Sequence, residues 1–454
     1  MSIDPTTTEI IRNSLVYASE EMGIALRNAS YSPNIRERMD HSAALFDYKG
    51  RLLAQAEHIP VHLGSLPWGL RKTLDYCERE DIDLEPSSMI MVNNPYIAGT
   101  HLNDVTVVRP VFYSNQLVAY AANKAHHSDV GGKVPGSISI DVRTLREEGV
   151  VINPRHLIRK DKFVKAAVSA LSSKSRTPIE RTGDLKAQTA ANFTGERRII
   201  ELVRKHGLRK FQQACNESMS KAEHMARLRL SKIPKGSYRA EDCLEGPDGH
   251  DIRLRVMITL SRRGLHVDYT GTDEQVSNSL NAVFGVTLSG VYYVTRTLTG
   301  DDVPANHGGF APITVHAPEG TILNPTFPHP VAGGNLETSQ RNADLLYSAF
   351  AQAIPGRVPA DSYGCMNNVM MGGTYHGQSW AFYETIGGGL GAQDDRDGID
   401  GIQGNMTNTM NTPIEEMERS FPILIKQYEL RPDSAGLGQY RGGSGRIRSY
   451  EALS

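Results

Sequence analysis

The chain has 454 residues, 39% of them hydrophobic, and a formal charge of −2 from 49 basic and 51 acidic side chains. That length exceeds one ordinary domain and fits two or three packed units. The balanced charge gives no electrostatic case for nucleic acid or an anionic membrane surface, and no apolar run approaches the roughly 20 residues of a membrane helix.

Met1-Ser2-Ile3-Asp4-Pro5 has no basic stretch leading into an apolar one, so no secretory leader is expected. Cys77, Cys215, Cys243 and Cys365 lie far apart without a CxxC pair, as expected of a reduced, cytoplasmic protein. Thr6-Thr7-Thr8-Glu9 offers an N-cap to a helix with Ile11, Leu15, Ala18, Met22 and Leu26 on one face. The second half of residues 36–47 reads as a strand that turns at Tyr48-Lys49-Gly50 and returns through 51–55. In Glu57-His58-Ile59-Pro60-Val61-His62, Pro60 argues against a zinc-binding HExxH helix. His58 and His62 are candidates for lining a substrate pocket, with hydrogen-bonded loop histidines as the alternative. A helix is expected within 60–85 and a short strand at Met89–Val92.

The densest chemistry follows, in Gly99-Thr100-His101-Leu102-Asn103-Asp104 and Ala125-His126-His127-Ser128-Asp129-Val130-Gly131-Gly132. Between them, an apolar alternation over 105–112, a turn at Ser114-Asn115 and a return over 117–122 predict a β-hairpin. A turn centred on Ser114-Asn115 would set Asp104 opposite Ala125, one residue from His126, with His101 just beyond the strand end. Imidazoles and carboxylates so gathered suit a divalent zinc, manganese or iron ion. Asp40, in a polar segment entering an apolar strand, is the candidate fourth ligand beside His101, Asp104 and His126. His127 and Asp129 adjoin these ligands. They are candidates for orienting a ligand or moving protons, and loop residues bonded to backbone are the alternative.

From about 161 to 229 the sequence becomes helical, polar and charged, and reads as a helical arm or partner contact. Beyond 236 it is β-rich, with a hairpin over 251–260 and 265–269 and helices over 278–298 and 336–353. Gly333-Gly334 precedes Asn335-Leu336-Glu337-Thr338-Ser339-Gln340-Arg341. Helix-terminal amides favour an anion there, and Glu337 and Arg341 are candidate substrate contacts, with a plain helix cap as the alternative. Residues 385–412, rich in Gly, Asp, Asn and Thr, form a long functional or packing loop region. The expected fold is α+β, with mixed sheets, hairpins and packed helices. It divides into 1–160 (metal-binding), 161–235 (helical) and 236–454 (β-rich with Gly-rich loops). No GxxxxGK[ST] phosphate loop and no GxSxG elbow are present.

Several segments together resemble the hydantoinase B/oxoprolinase family. They are 32–42 (SPNIRERMDHS), Asn93-Asn94-Pro95-Tyr96 with 99–104, 125–132, 406–415 (MTNTMNTPIE) and 428–434 (YELRPDS). The resemblance implies the B-type component of a two-component, ATP-dependent enzyme. An A-type partner would bind ATP and phosphorylate the substrate, and the B-type component's metal site would complete ring opening of a hydantoin, 5-oxoproline or lactam. A ketone carboxylase component and a non-catalytic scaffold for the A-type partner are the alternatives. By motif, the implied metal ligands fall on Asp40, His101, Asp104 and His126. A missing phosphate loop agrees with nucleotide chemistry in the partner, and a hetero-oligomer is expected. Members of the family ordinarily continue beyond the Gly438–Gly445 segment, so a shortened C-terminus is expected.

Overall fold

The computed structural model describes residues 4–56, 58–246 and 249–453. Residues 1–3 of the expected N-terminal segment and Glu57 of the histidine motif lie outside them. The first sheet contains β1 (His41–Asp47), β2 (Leu52–Ala56), β3 (Met89–Val92), β4 (Asp104–Tyr113), β5 (Gln116–His126), β6 (Arg155–Arg159) and β7 (Lys162–Phe163). Their order is β2-β1-β5-β4-β3-β6-β7, every neighbouring pair antiparallel.

Every residue of β1 is buried, which requires cover on both faces. Ala43 and Leu45 join a core with Ile11, Leu15 and Met22 of the Pro5–Ala29 helix and with Ala187 and Ala191 of the Pro178–His206 helix. Ala44 and Phe46 point the other way, onto Leu63, Leu66 and Leu70 of the His62–Arg79 helix. The Pro178–His206 helix therefore caps the sheet instead of projecting as an arm. Its polar residues are turned inward: Gln188 Nε2 donates to Val105 O at 2.8 Å and Asn192 Nδ2 to Val107 O at 2.9 Å. Buried amides with satisfied hydrogen bonds give a core helix the composition of an exposed one.

The expected hairpin forms about Ser114 (φ 48°) and Asn115 (φ 66°), but its register is displaced by one. Pairs near the turn (Phe112 with Leu117) sum to 229, and from Val111 with Ala119 onward they sum to 230. A bulge accommodating Val118 as the extra residue causes the change. Asp104 consequently pairs with His126 and not with Ala125.

A second sheet, ordered β11-β10-β9-β8, joins β8 (Gly236–Glu245), β9 (Asp251–Ser261), β10 (Gly264–Asp268) and β11 (Ile313–His316), with β10 and β11 parallel. Two separate hairpins follow, β12 (Asn367–Tyr375) with β13 (Gln378–Ile386) and β14 (Ile423–Leu430) with β15 (Arg446–Ala452). The helix expected over 278–298 begins only at Phe284. Before it, Asn281 Nδ2 bonds the carbonyls of Val276, Asn278 and Pro330, a local alternative to helical bonding. One core runs from Met89 and Val105 through Leu254 and Val291 to Leu345 and Met406, so the N- and C-terminal halves share an interior. Among the described residues no helix is long and apolar enough to cross a membrane, and all four cysteines are free.

Candidate metal centre

The β4–β5 register puts Asp104 and His126 side by side at the sheet's end. Asp40 immediately precedes β1. His41 pairs with Ala125, and Asp40 O accepts the His126 N–H at 3.0 Å, after a turn with Met39 at φ 57°. His101 is set by the short Pro95–Ala98 helix, which ends at Gly99 in the left-handed region (φ 93°). A Cβ at Gly99 would meet Ser65 O at 2.8 Å, so the turn needs glycine for space as well as for φ. The Lys124 ammonium, which burial pushes down to about 7, donates to Ala98 O at 2.7 Å and Thr100 Oγ1 at 3.2 Å, on either side of that turn.

Three donor atoms converge. His101 Nε2 lies 3.2 Å from Asp104 Oδ1 and 3.1 Å from His126 Nδ1, and His126 Nδ1 lies 3.1 Å from Asp104 Oδ1. Asp40 Oδ2 stands 3.9 Å from His126 Nδ1. His62, the first residue of its helix, places Nε2 3.4 Å from Asp104 Oδ2 and Nδ1 3.0 Å from Ser42 Oγ. Burial holds the His62 and His126 imidazoles below their usual pKa, toward the neutral form that can ligate. Burial alone would raise the Asp104 carboxyl, but His101 beside it and hydrogen bonds from three histidines hold it well below the usual range.

This donor set fits a divalent ion. Donors about 2.0–2.2 Å from one ion stand about 3 Å apart, and two imidazoles with one or two carboxylates suit zinc, manganese or ferrous iron. Three close contacts among two ring nitrogens and one carboxylate oxygen exceed what two N–H protons can serve. The Ser42–His62–Asp104 chain supplies the outer partner that orients a ligating carboxylate. The space the donors face is a cavity of about 20 Å³, walled also by Leu336, Tyr383, Thr385 and Met406. That is room for an ion or one water.

The family model described as hydantoinase B/oxoprolinase matches residues 4–454. The chain belongs to the hydantoinase B/oxoprolinase family. It is 47% identical to an uncharacterized protein of Methanocaldococcus jannaschii, covering 100% of this chain and 79% of that one. It is 32% identical to the B component of a putative D-/L-hydantoinase from a Pseudomonas species, covering 100% and 78%. The crystal structure of an ATP-dependent caprolactamase from Pseudomonas jessenii superposes with a TM-score of 0.92 at 29% identity, over 100% of this chain and 79% of the other. The chain spans only 35% of the length of a 5-oxoprolinase that it matches.

In this hydantoinase B/oxoprolinase chain, Asp40, His62, His101, Asp104 and His126 all border the cavity, and five other residues singled out from the sequence do not. His58 turns to the Pro5–Ala29 helix, 3.4 Å from Glu20 Oε2 and edge-on to His41. His127 Nε2 pairs with Gln188 Oε1 at 3.0 Å, and burial pushes its imidazole down to about 4. Asp129 accepts the Gly131 N–H at 3.1 Å and is clamped by Arg176 at 2.8 Å, which fastens its own loop. Arg341 pairs with Asp242 at 3.2 Å, and burial pushes the Glu337 carboxyl up to about 7. Tyr383 was not foreseen from the sequence, whereas Leu336 falls in the 335–341 segment and Thr385 at the start of 385–412, both segments singled out there but neither residue as a site candidate. The loop rich in Asn and Thr also contributes Met406 and Thr407.

Leu336 reaches the cavity from a π-helical turn, Gly334–Thr338, inserted before the Ser339–Ala353 helix. Such turns concentrate at functional sites. Gly334 makes this one possible, because a Cβ there would lie 2.0 Å from Asn281 O. Gly334→Ala should therefore cost about 1–3 kcal/mol or more. Urea midpoints unchanged from wild type would show that the contact relaxes freely.

Proposed function

We propose that this chain is the B-type component of a two-part, ATP-dependent cyclic-amide hydrolase, opening hydantoin, 5-oxoproline or lactam rings that an A-type partner activates by phosphorylation. The observation that carries this reading is the buried cluster of His101, Asp104 and His126, with Asp40 beside it, in a chain whose whole length superposes on a caprolactamase. The Pseudomonas relative, named as one component of a hydantoinase, supports a partner chain.

A zinc, manganese or iron ion held by Asp40, His101, Asp104 and His126 would supply Lewis acidity toward the ring carbonyl. The chain's own residues prepare that setting. His101 and His126 are enclosed, each at most 2% exposed, and burial holds the His126 imidazole toward its neutral, donating form. His62 fixes the Asp104 carboxylate through Oδ2, leaving Oδ1 to the cluster. Leu336, Tyr383 and Met406 keep bulk water away, which strengthens each electrostatic contact inside.

The test is turnover by the chain co-purified with its A-type partner and ATP, against hydantoins, 5-oxoproline, lactams and ketones. Ring opening coupled to ATP hydrolysis is expected. His101→Ala should abolish ring opening while the complex still assembles. Full turnover by that variant would sink the assignment, and bicarbonate-dependent turnover of ketones alone would replace it with a carboxylase.

A further inference from the structure

All the candidate ligands come from the first sheet and its connections, yet one wall of the cavity comes from β13. There the Tyr383 ring lies stacked on the His126 imidazole, with centroids 4.6 Å apart and planes 16° from parallel. The same ring is met by the Arg38 guanidinium, 4.8 Å from its centroid. Arg38 is fully buried, and among the described residues no carboxylate is a hydrogen-bond partner of it. It donates to Asn34 Oδ1, to Tyr383 O at 3.2 Å, to Thr385 Oγ1 at 2.8 Å and to Thr409 Oγ1 at 3.0 Å. Asn34 in turn donates to His126 O at 2.7 Å. A single cation thus binds the segment before Asp40, strand β13 and the 403–413 loop around one histidine.

A metal-binding imidazole is ordinarily oriented by an acceptor at its second nitrogen. His126 differs: Nδ1 faces the cluster, and buried Nε2 has no hydrogen-bond partner among the described residues. What fixes the plane of the ring is the stack. We infer that Tyr383, held by Arg38, is a positioning residue for His126, setting the imidazole so that Nδ1 faces Asp104 and His101. This rests on the metal reading of the cluster. Four short acceptors in different directions match a planar guanidinium and not an ammonium, so the latch needs arginine.

The test measures zinc affinity by chelator competition on the metal-free full chain, and the visible spectrum of the cobalt(II)-loaded chain as a report on ligand geometry. Tyr383→Leu should weaken zinc about 10–100-fold, the loss typical of an orienting partner, and shift the cobalt bands. Tyr383→Phe keeps the ring and loses the hydroxyl's bonds, its donation to Asn368 Oδ1 at 2.6 Å and its acceptance from Thr385 Oγ1 at 3.4 Å, so it should bind zinc like wild type. Arg38→Lys should fall with Tyr383→Leu. Matched melting of the metal-free proteins separates lost positioning from lost folding. Wild-type affinity and spectrum in Tyr383→Leu would overturn the inference, as would equal weakening in the phenylalanine and leucine variants. A wild-type chain that takes up no zinc or cobalt would overturn the metal reading, and the inference with it.

Discussion

Asp104→Asn is expected to empty the metal centre. Oδ1 of this residue is the shared neighbour of His101 Nε2 and His126 Nδ1, and Oδ2 is held by His62 Nε2. Asparagine has the same outline, so packing is kept, but it removes the one negative charge inside the three-donor cluster. Loss of an outer partner costs about 10–100-fold in metal affinity, and loss of a direct ligand should cost at least the upper end of that range. With metal at about 100 times its dissociation constant, the wild-type chain gains about 2.7 kcal/mol of stability. A site weakened about 100-fold keeps about 0.4 kcal/mol of that gain at the same concentration. Denaturant midpoints with and without zinc or manganese read this difference directly. A variant that retains the full metal-dependent gain would show that Asp104 is no ligand.

The sheet that builds this centre was legible in the sequence because its strands alternate and its turn carries Ser114-Asn115. The displacement by one residue was not. Val118 is an apolar residue among apolar residues, and nothing in a local pattern marks it as the bulge that moves Asp104 opposite His126. His58 and His62 were indistinguishable as a pair four apart. The fold separates them because the helix starting at His62 directs that side chain toward Asp104, while His58 precedes it and meets the Pro5–Ala29 helix. Gln188 and Asn192 made a buried helix look solvated, and only the partner carbonyls across the sheet reveal why. Tyr383 carried no signal, since its place over His126 depends on packing between residues 257 positions apart in the chain.

Glu148→Gln is expected to flatten the fall of stability with pH between the unfolded carboxyl value and about 8. Glu148 is 1% exposed, and its Oε1 accepts the N–H groups of Val331 and Ala332, both at 2.8 Å. Burial pushes its carboxyl up to about 8, against the pull of those two amides. The unfolded carboxyl titrates near about 4.3. Between these values the folded chain keeps a proton that the unfolded chain releases, so stability falls as pH rises. The contribution is fully present below the unfolded value and is lost once pH passes the folded one. At about 1.4 kcal/mol per pH unit, the wild type should lose up to about 4 kcal/mol between pH 5 and pH 8 through this one group. The glutamine variant cannot titrate and should lose that much less, which urea unfolding at the two pH values measures. Parallel pH dependence in the two proteins would show that Glu148 ionises in the folded state without penalty. The consequence reaches the metal centre, because the amides held by Glu148 lead into the Gly334–Thr338 turn that sets Leu336 in the cavity wall. Ionised Glu148 regains hydration only where its cover opens, so as pH rises toward about 8 the loosening should appear first as faster amide exchange at 331–338, ahead of global unfolding.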